Sequence, residues 1–158
     1  MNLDETDLKL LKVLQENSNL TTKELAAKVN LSTTPVFERV KRLEKEHYIK
    51  KYVAVLDAEM LSRGFVVFCN IKLKQHSKKL GHELVQAILA LDEVTEFYNI
   101  SGEYDFMVKI CVQSMSHYQH FVMNTLGEIE SIGNLQSVFV MGEIKHSYAI
   151  PLTEQSNK

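Results

Sequence analysis

Apolar residues recur at helical spacing through the early part of the chain and then give way to strand-like runs. Within 4–16, Leu8, Leu11 and Leu14, with Leu10 and Val13, form one apolar face and predict a helix. Asp4, Glu5 and Asp7 suit its positive N-terminal end, and Asn17-Ser18-Asn19 stops it. Thr22 is the expected cap of a second helix, in which Leu25, Ala26 and Val29 repeat the spacing. Asn30-Leu31-Ser32 breaks that helix, because Asn tolerates a left-handed turn and Ser caps a new one. A third helix opens near Thr33 with Pro35 in its first turn, where a missing N–H costs least. Val36, Val40 and Leu43 give it an apolar stripe. Two short helices joined by a tight polar turn make a helix-turn-helix.

From Phe65 the texture changes. Residues 65–74 are rich in β-branched and aromatic types and end in alternation, so they predict a strand. Leu84, Val85, Ile88, Leu89 and Leu91 predict a helix over 80–91. Segments 94–100 and 104–112 read as strands joined by the turn Ser101-Gly102-Glu103. Ser116 is the expected cap and Gly127 the expected stop of a helix bearing Tyr118, Phe121, Val122 and Leu126. Segment 135–147 reads as a last, long strand. The order β-α-β-β-α-β is the ferredoxin-like arrangement, an antiparallel sheet with both helices on one face.

The fold class is therefore α+β. A winged helix-turn-helix domain is expected at 1–53, with 49–56 as a wing strand running into an extended connector. A linker strand at 54–64 leads to a ferredoxin-like βαββαβ domain at 65–151, and 152–158 is a mobile polar tail. Several strands of the second domain (65–68, 106–110, 138–141) carry apolar residues on both faces. A sheet that apolar needs cover, so at least a homodimer through this domain is expected.

Charge sharpens the picture. The formal net charge of −2 argues against a wholly basic coat, but residues 1–56 carry ten Lys/Arg against eight Asp/Glu. The remainder carries eight against twelve, so the basic side of the molecule is the N-terminal part. Cys69 and Cys111 lie in apolar runs and are expected as buried, reduced core residues. No charged-then-apolar leader opens the chain and no apolar run approaches ~18 residues, so neither signal peptide nor membrane span is expected and the setting is cytoplasmic.

Six basic residues fall between Arg39 and Lys51, against the acidic Glu44 and Glu46. That excess, on a helix that follows a tight turn and opens with small hydroxyls, suits a recognition helix in the major groove of double-stranded DNA. Thr33, Thr34, Glu38 and Arg42 are the candidates for base edges, with Ser32 at the helix start. Arg39, Lys41, Lys50 and Lys51 are the candidates for phosphates.

The run Leu31-Ser-Thr-Thr-Pro-Val-Phe-Glu-Arg-Val-Lys-Arg-Leu-Glu44, followed by Tyr48-Ile-Lys-Lys-Tyr52, resembles the DNA-binding domain of Lrp/AsnC transcription regulators. Leu3-Asp4, Asp7 and Leu10-Leu11 fit the start of the same domain. Two departures stand out: His47 follows the recognition helix and Lys51 lies in the wing, where the family usually has Gly. His is among the non-Gly residues better tolerated at positive φ, so the turn is expected to survive. The resemblance extends to about Pro151 and implies face-to-face dimers, assembly to octamers, and an amino-acid effector, leucine or another small one, bound between dimers.

The effector turn is carried by Ser101, Gly102, Glu103, Tyr104 and Asp105, which resemble the family's Gly-x-Tyr-Asp turn. Free backbone N–H groups can hold a carboxylate there and Asp105 an ammonium. Ser137, where the family often has Thr, is implied as a contribution from a neighbouring dimer. No cofactor is expected beyond that amino acid.

The sequence offers two rivals. His117 and His120 at i, i+3 are half a metal site, which would make a metal-responsive regulator, but no third ligand accompanies them at suitable spacing. Otherwise, the helix-turn-helix could serve protein contact in a small-molecule sensor. No nucleophile, Walker or zincin motif is found, so an enzyme is not expected.

Overall fold

A computed structural model describes residues 3–152; the remainder of the expected tail lies outside the described residues. The chain divides into two compact units, one from the described residues of Met1–Val55 and Ile144–Lys158, the other Leu56–Glu143.

The first unit contains α1 (Glu5–Glu16), α2 (Thr22–Val29) and α3 (Thr33–Lys45). Asp4 and Asp7 form a reciprocal capping box: the Asp7 N–H donates to Asp4 at 2.8 Å and the Asp4 N–H to Asp7 at 3.1 Å. The cap of α2 is Thr21, one residue before the expected Thr22. Glu24 lies three residues after Thr21 and closes the same kind of box, its carboxylate accepting from the Thr21 N–H at 2.7 Å. Asn30 makes the turn into α3 in the left-handed region, at φ 55°. His47 does the same after α3, at φ 62°, so the turn survives without glycine. Leu10, Leu25, Ala26 and Val36 form the core between the three helices, with Val13, Leu14 and Val40 packed around it.

The expected wing and linker strands do not form. No ladder of backbone bonds runs along 49–64 among the described residues, and Val53, Val55 and Leu56 are exposed. A lone extended segment has nothing to satisfy its N–H and C=O groups in a sheet, so it stays irregular. Further along the chain, Ile150 returns to α1: its N–H donates to Gln15 Oε1 at 2.7 Å and its C=O accepts from Gln15 Nε2 at 3.3 Å.

The second unit contains β1 (Phe65–Leu73), α4 (Lys78–Leu89), β2 (Val94–Asn99), β3 (Phe106–Val112), α5 (Met115–Asn124) and β4 (Ile132–Phe139). The strands are antiparallel in the order β2-β3-β1-β4. Alternation sorts β1 and β3 cleanly. Val67, Cys69 and Ile71 of β1 and Phe106, Val108, Ile110 and Val112 of β3 face a core filled by Leu84 and Ile88 of α4 and Tyr118 and Phe121 of α5. The opposite face carries Val66 and Phe68, Met107 and Cys111, and Val138, tempered by an Asn70–Gln136 hydrogen bond and a Lys109–Glu96 ion pair, both at 3.0 Å. Cys69 is buried, but Cys111 falls on this second face and is only half-buried, unlike the core residue expected; both thiols are unpaired.

Several element ends differ from the sequence expectation, some set by local bonds and some by a distant partner. Ser114, not Ser116, caps α5 by accepting from the His117 N–H at 3.2 Å. Gly127 lies inside a 3₁₀ turn, Leu126–Glu128, after α5 has ended. β4 stops at Phe139 and not at Ser147, because β1 begins at Phe65 and offers no backbone beyond the Val140–Val66 bond. Its start is earlier than expected, at Ile132, where Gly133 crosses the Lys74 backbone so closely that a Cβ would sit 2.8 Å from it. Among the described residues no helix is long and apolar enough to cross a membrane.

Candidate functional site

Successive residues of α3 turn by about 100°, which sorts its side chains into three faces. Val36, Val40 and Leu43 point inward. Arg39 and Arg42 lie on the flank toward α1, where Asp7 is 1% exposed. Arg39 Nη1 is 2.6 Å from Asp4 and 2.7 Å from Asp7, and Arg42 Nη2 is 2.6 Å from the other Asp7 oxygen. A carboxylate taken out of water needs such partners. Burial pushes the Asp4 carboxyl up, but the Asp7 N–H and the Arg39 guanidinium outweigh it and hold the pKa below its ordinary value. The hydrogen bonds to Asp4 and Asp7 raise Arg39 in turn. The two guanidiniums expected on DNA thus each give one nitrogen to joining α3 to α1.

The outward face holds Ser32, Thr33, Thr34, Phe37, Glu38, Lys41 and Lys45, all exposed. Lys41 Nζ is 2.8 Å from Glu44 and stands over the Phe37 ring, 5.9 Å from its centroid. Lys50 and Lys51 are exposed beyond the helix end. Tyr52 folds the same segment back by donating to Glu44 at 3.0 Å, and burial, helped by that carboxylate, pushes its hydroxyl up to about 12.

In the second unit the 101–105 turn closes the β2–β3 hairpin. Gly102 sits at φ 132°, which a side chain rarely tolerates. The N–H groups of Ser101, Gly102, Glu103 and Tyr104 donate to nothing among the described residues. Asp105 is fixed from several sides: its N–H donates to Ile71 C=O, its carboxylate accepts from the Leu73 N–H at 2.8 Å, and His76 Nδ1 lies 3.4 Å away. Ser131 is buried at the same end of β1, and its hydroxyl finds no partner among the described residues. Ser137 is elsewhere, on the edge strand opposite Cys69, where it shares a 2.5 Å hydrogen bond with Tyr118. Within one chain it does not join the turn.

His117 lies 3.8 Å from Glu93 and His120 bonds Asn124, and among the described residues no three His, Cys, Asp or Glu side chains gather as a metal set. Sequence reasoning missed Phe37, His76 and Ser131. It also missed the Asp7–Arg pairs, although the capping-box spacing of Asp4 and Asp7 was readable.

A helix-turn-helix with an exposed polar and basic outer face, on one chain with a ferredoxin-like domain bearing an open turn of unspent N–H groups, defines a two-domain DNA-binding regulator. Residues 3–50 match the winged helix-turn-helix DNA-binding family and residues 66–150 match the Lrp/AsnC ligand binding domain. The chain is 34% identical over 150 residues to the DNA-binding transcriptional activator DecR of Escherichia coli, covering 95% of this chain and 99% of that one. It is 36% identical over 145 residues to the leucine-responsive regulatory protein of Haemophilus influenzae, covering 92% and 87%. The crystal structure of a transcriptional regulator in complex with L-Met from Neisseria meningitidis superposes with a TM-score of 0.92 at 33% identity, covering 95% of this chain and 97% of that one. The protein belongs to the Lrp/AsnC family of DNA-binding transcription regulators, which are not enzymes.

Proposed function

We propose that this regulator senses an amino acid in the cytoplasm and converts its binding into a change of assembly on double-stranded DNA. The observation that carries the effector half is the 101–105 turn. Its unspent N–H groups suit a carboxylate, and the fixed Asp105 suits an ammonium. Ser101, Gly102, Glu103 and Tyr104 supply the cradle, and Ser137 acts from a neighbouring dimer. Leucine or another small amino acid is the ligand, and the L-Met held by the Neisseria relative agrees with an apolar side chain.

The homodimer forms through the open sheet face, where Val66, Phe68, Met107 and Val138 need cover. Dimers assemble further to an octamer, and the effector shifts that equilibrium by favouring one assembly over the other. On DNA, paired domains meet half-sites about one helical turn or a multiple apart. Thr33, Thr34 and Glu38 meet base edges. Glu38 accepts from a cytosine amino group, since a carboxylate facing DNA otherwise lowers affinity. Ser32, Lys41, Lys50 and Lys51 hold phosphates. Arg39 and Arg42 serve indirectly, by fixing α3 on α1.

Sedimentation velocity of the full chain, with and without a pool of the twenty amino acids, tests the effector half. A shift among dimer, octamer and larger species is expected, and omitting amino acids one at a time then names the ligand. An assembly that ignores the whole pool overturns the effector role of the turn.

A further inference from the structure

Phe37 is 52% exposed in the middle of the outward face of α3. A ring half left in water, on a face otherwise made of hydroxyl and charged groups, lies outside the core cluster of the helices. The core side of the helix is already filled by Val36, Val40 and Leu43. Among the described residues its ring partner is the Lys41 ammonium, 5.9 Å from the centroid, which steadies the ring and leaves its outer edge open. The position is one turn into the helix, beside Thr33, Thr34 and Glu38. In a recognition helix this N-terminal half approaches the base edges.

The arginines of α3 lie off this face, and its cations, Lys41 and Lys45, stand behind its front. Both arginines of α3 are held by Asp4 and Asp7, 2.6 to 2.7 Å away. What remains outward at the front of the helix is a pair of threonines, a carboxylate and a phenyl ring. In the major groove, the apolar feature such a ring can bury against is the C5-methyl of thymine. We infer that Phe37 is a specificity-determining residue that packs on a thymine methyl in each half-site. The inference rests on α3 reading DNA, as proposed above.

The experiment first selects a preferred duplex with the full-length wild-type chain from a random library. Each thymine of the selected site is then replaced singly by deoxyuridine, which removes the methyl and keeps every hydrogen-bonding group. Wild-type protein is expected to lose about fourfold in affinity per half-site at one thymine, the worth of one buried methyl. Phe37→Ala, which folds because the ring is outside the core, is expected to bind the thymine and uracil duplexes equally. Phe37→Leu should restore part of the difference. Wild-type binding that is indifferent to uracil throughout, or a Phe37→Ala chain that keeps the full difference, overturns the inference while leaving DNA reading by α3 intact. A wild-type chain that selects no sequence at all overturns the reading beneath it, and the inference with it.

Discussion

Asp7 is the residue on which the DNA-binding unit turns. It closes the capping box of α1 and accepts from Arg39 and Arg42 of α3 while almost wholly buried. Asp7 is buried but water still reaches both arginines, so losing its charge forfeits charge-assisted bonds at a cost of about 1.5–3 kcal/mol. Asp7→Asn is therefore expected to lower the stability of the first unit by about that amount in urea unfolding; a loss below about 1 kcal/mol would mean that the pairs are ordinary surface contacts. Residue by residue, what the sequence disclosed depends on near neighbours, although it misplaced the local caps Thr21 and Ser114. The left-handed turns at Asn30 and His47 and the acidic start of α1 are of that kind. The Arg pairs span more than thirty positions, and nothing local distinguishes an arginine that faces DNA from one that faces a buried aspartate.

At the scale of elements, the order of helices and strands was legible because each buries a stripe whose period is written in its own residues. Their ends were less so. β4 runs only as far as β1 accompanies it, and the wing segment without a partner forms no strand. The burial of Tyr118 on α5 has a consequence for alkaline stability, partly offset by its bond to Ser137. Burial pushes the Tyr118 hydroxyl up to about 12 from its ordinary 10.0. Below pH 10 the group is protonated whether the chain is folded or not, so the contribution is complete there. Between about 10 and about 12 the unfolded chain gives up its proton while the folded one keeps it, so stability falls as pH rises. Thermal midpoints recorded from pH 9 upward should drop through that window, and Tyr118→Phe should drop less steeply. Equal slopes for the two chains would show that Tyr118 does not set the alkaline limit.

For the whole molecule, the even-looking net charge of −2 conceals a division of labour. The N-terminal part, with an excess of Lys and Arg, is drawn to phosphate, while the acidic remainder resists indiscriminate coating of DNA. Affinity for DNA is expected to fall steeply with salt, with a log–log slope near −0.9 per phosphate contact. The double variant Lys50→Ala, Lys51→Ala should flatten that slope in a salt titration. A slope already flat in the wild type would favour the rival in which the helix-turn-helix contacts protein. The 101–105 turn was readable at this scale through its Gly-x-Tyr-Asp pattern. The Leu73 and His76 groups around Asp105 were not, because they come from a distant stretch of chain.

The return of Ile150 to Gln15 alters how this regulator can be taken apart and rebuilt. The helix-turn-helix unit is not simply the first stretch of the chain; it is completed by residues that follow the sensor. A fragment cut after Val55 would lose both bonds that Gln15 makes to Ile150. A new sensing module is better spliced into the gap between Val55 and Ile144 than fused to a truncated end. In a modular toolkit of switches, this DNA-binding head is a clasp with two ends, and both must be kept.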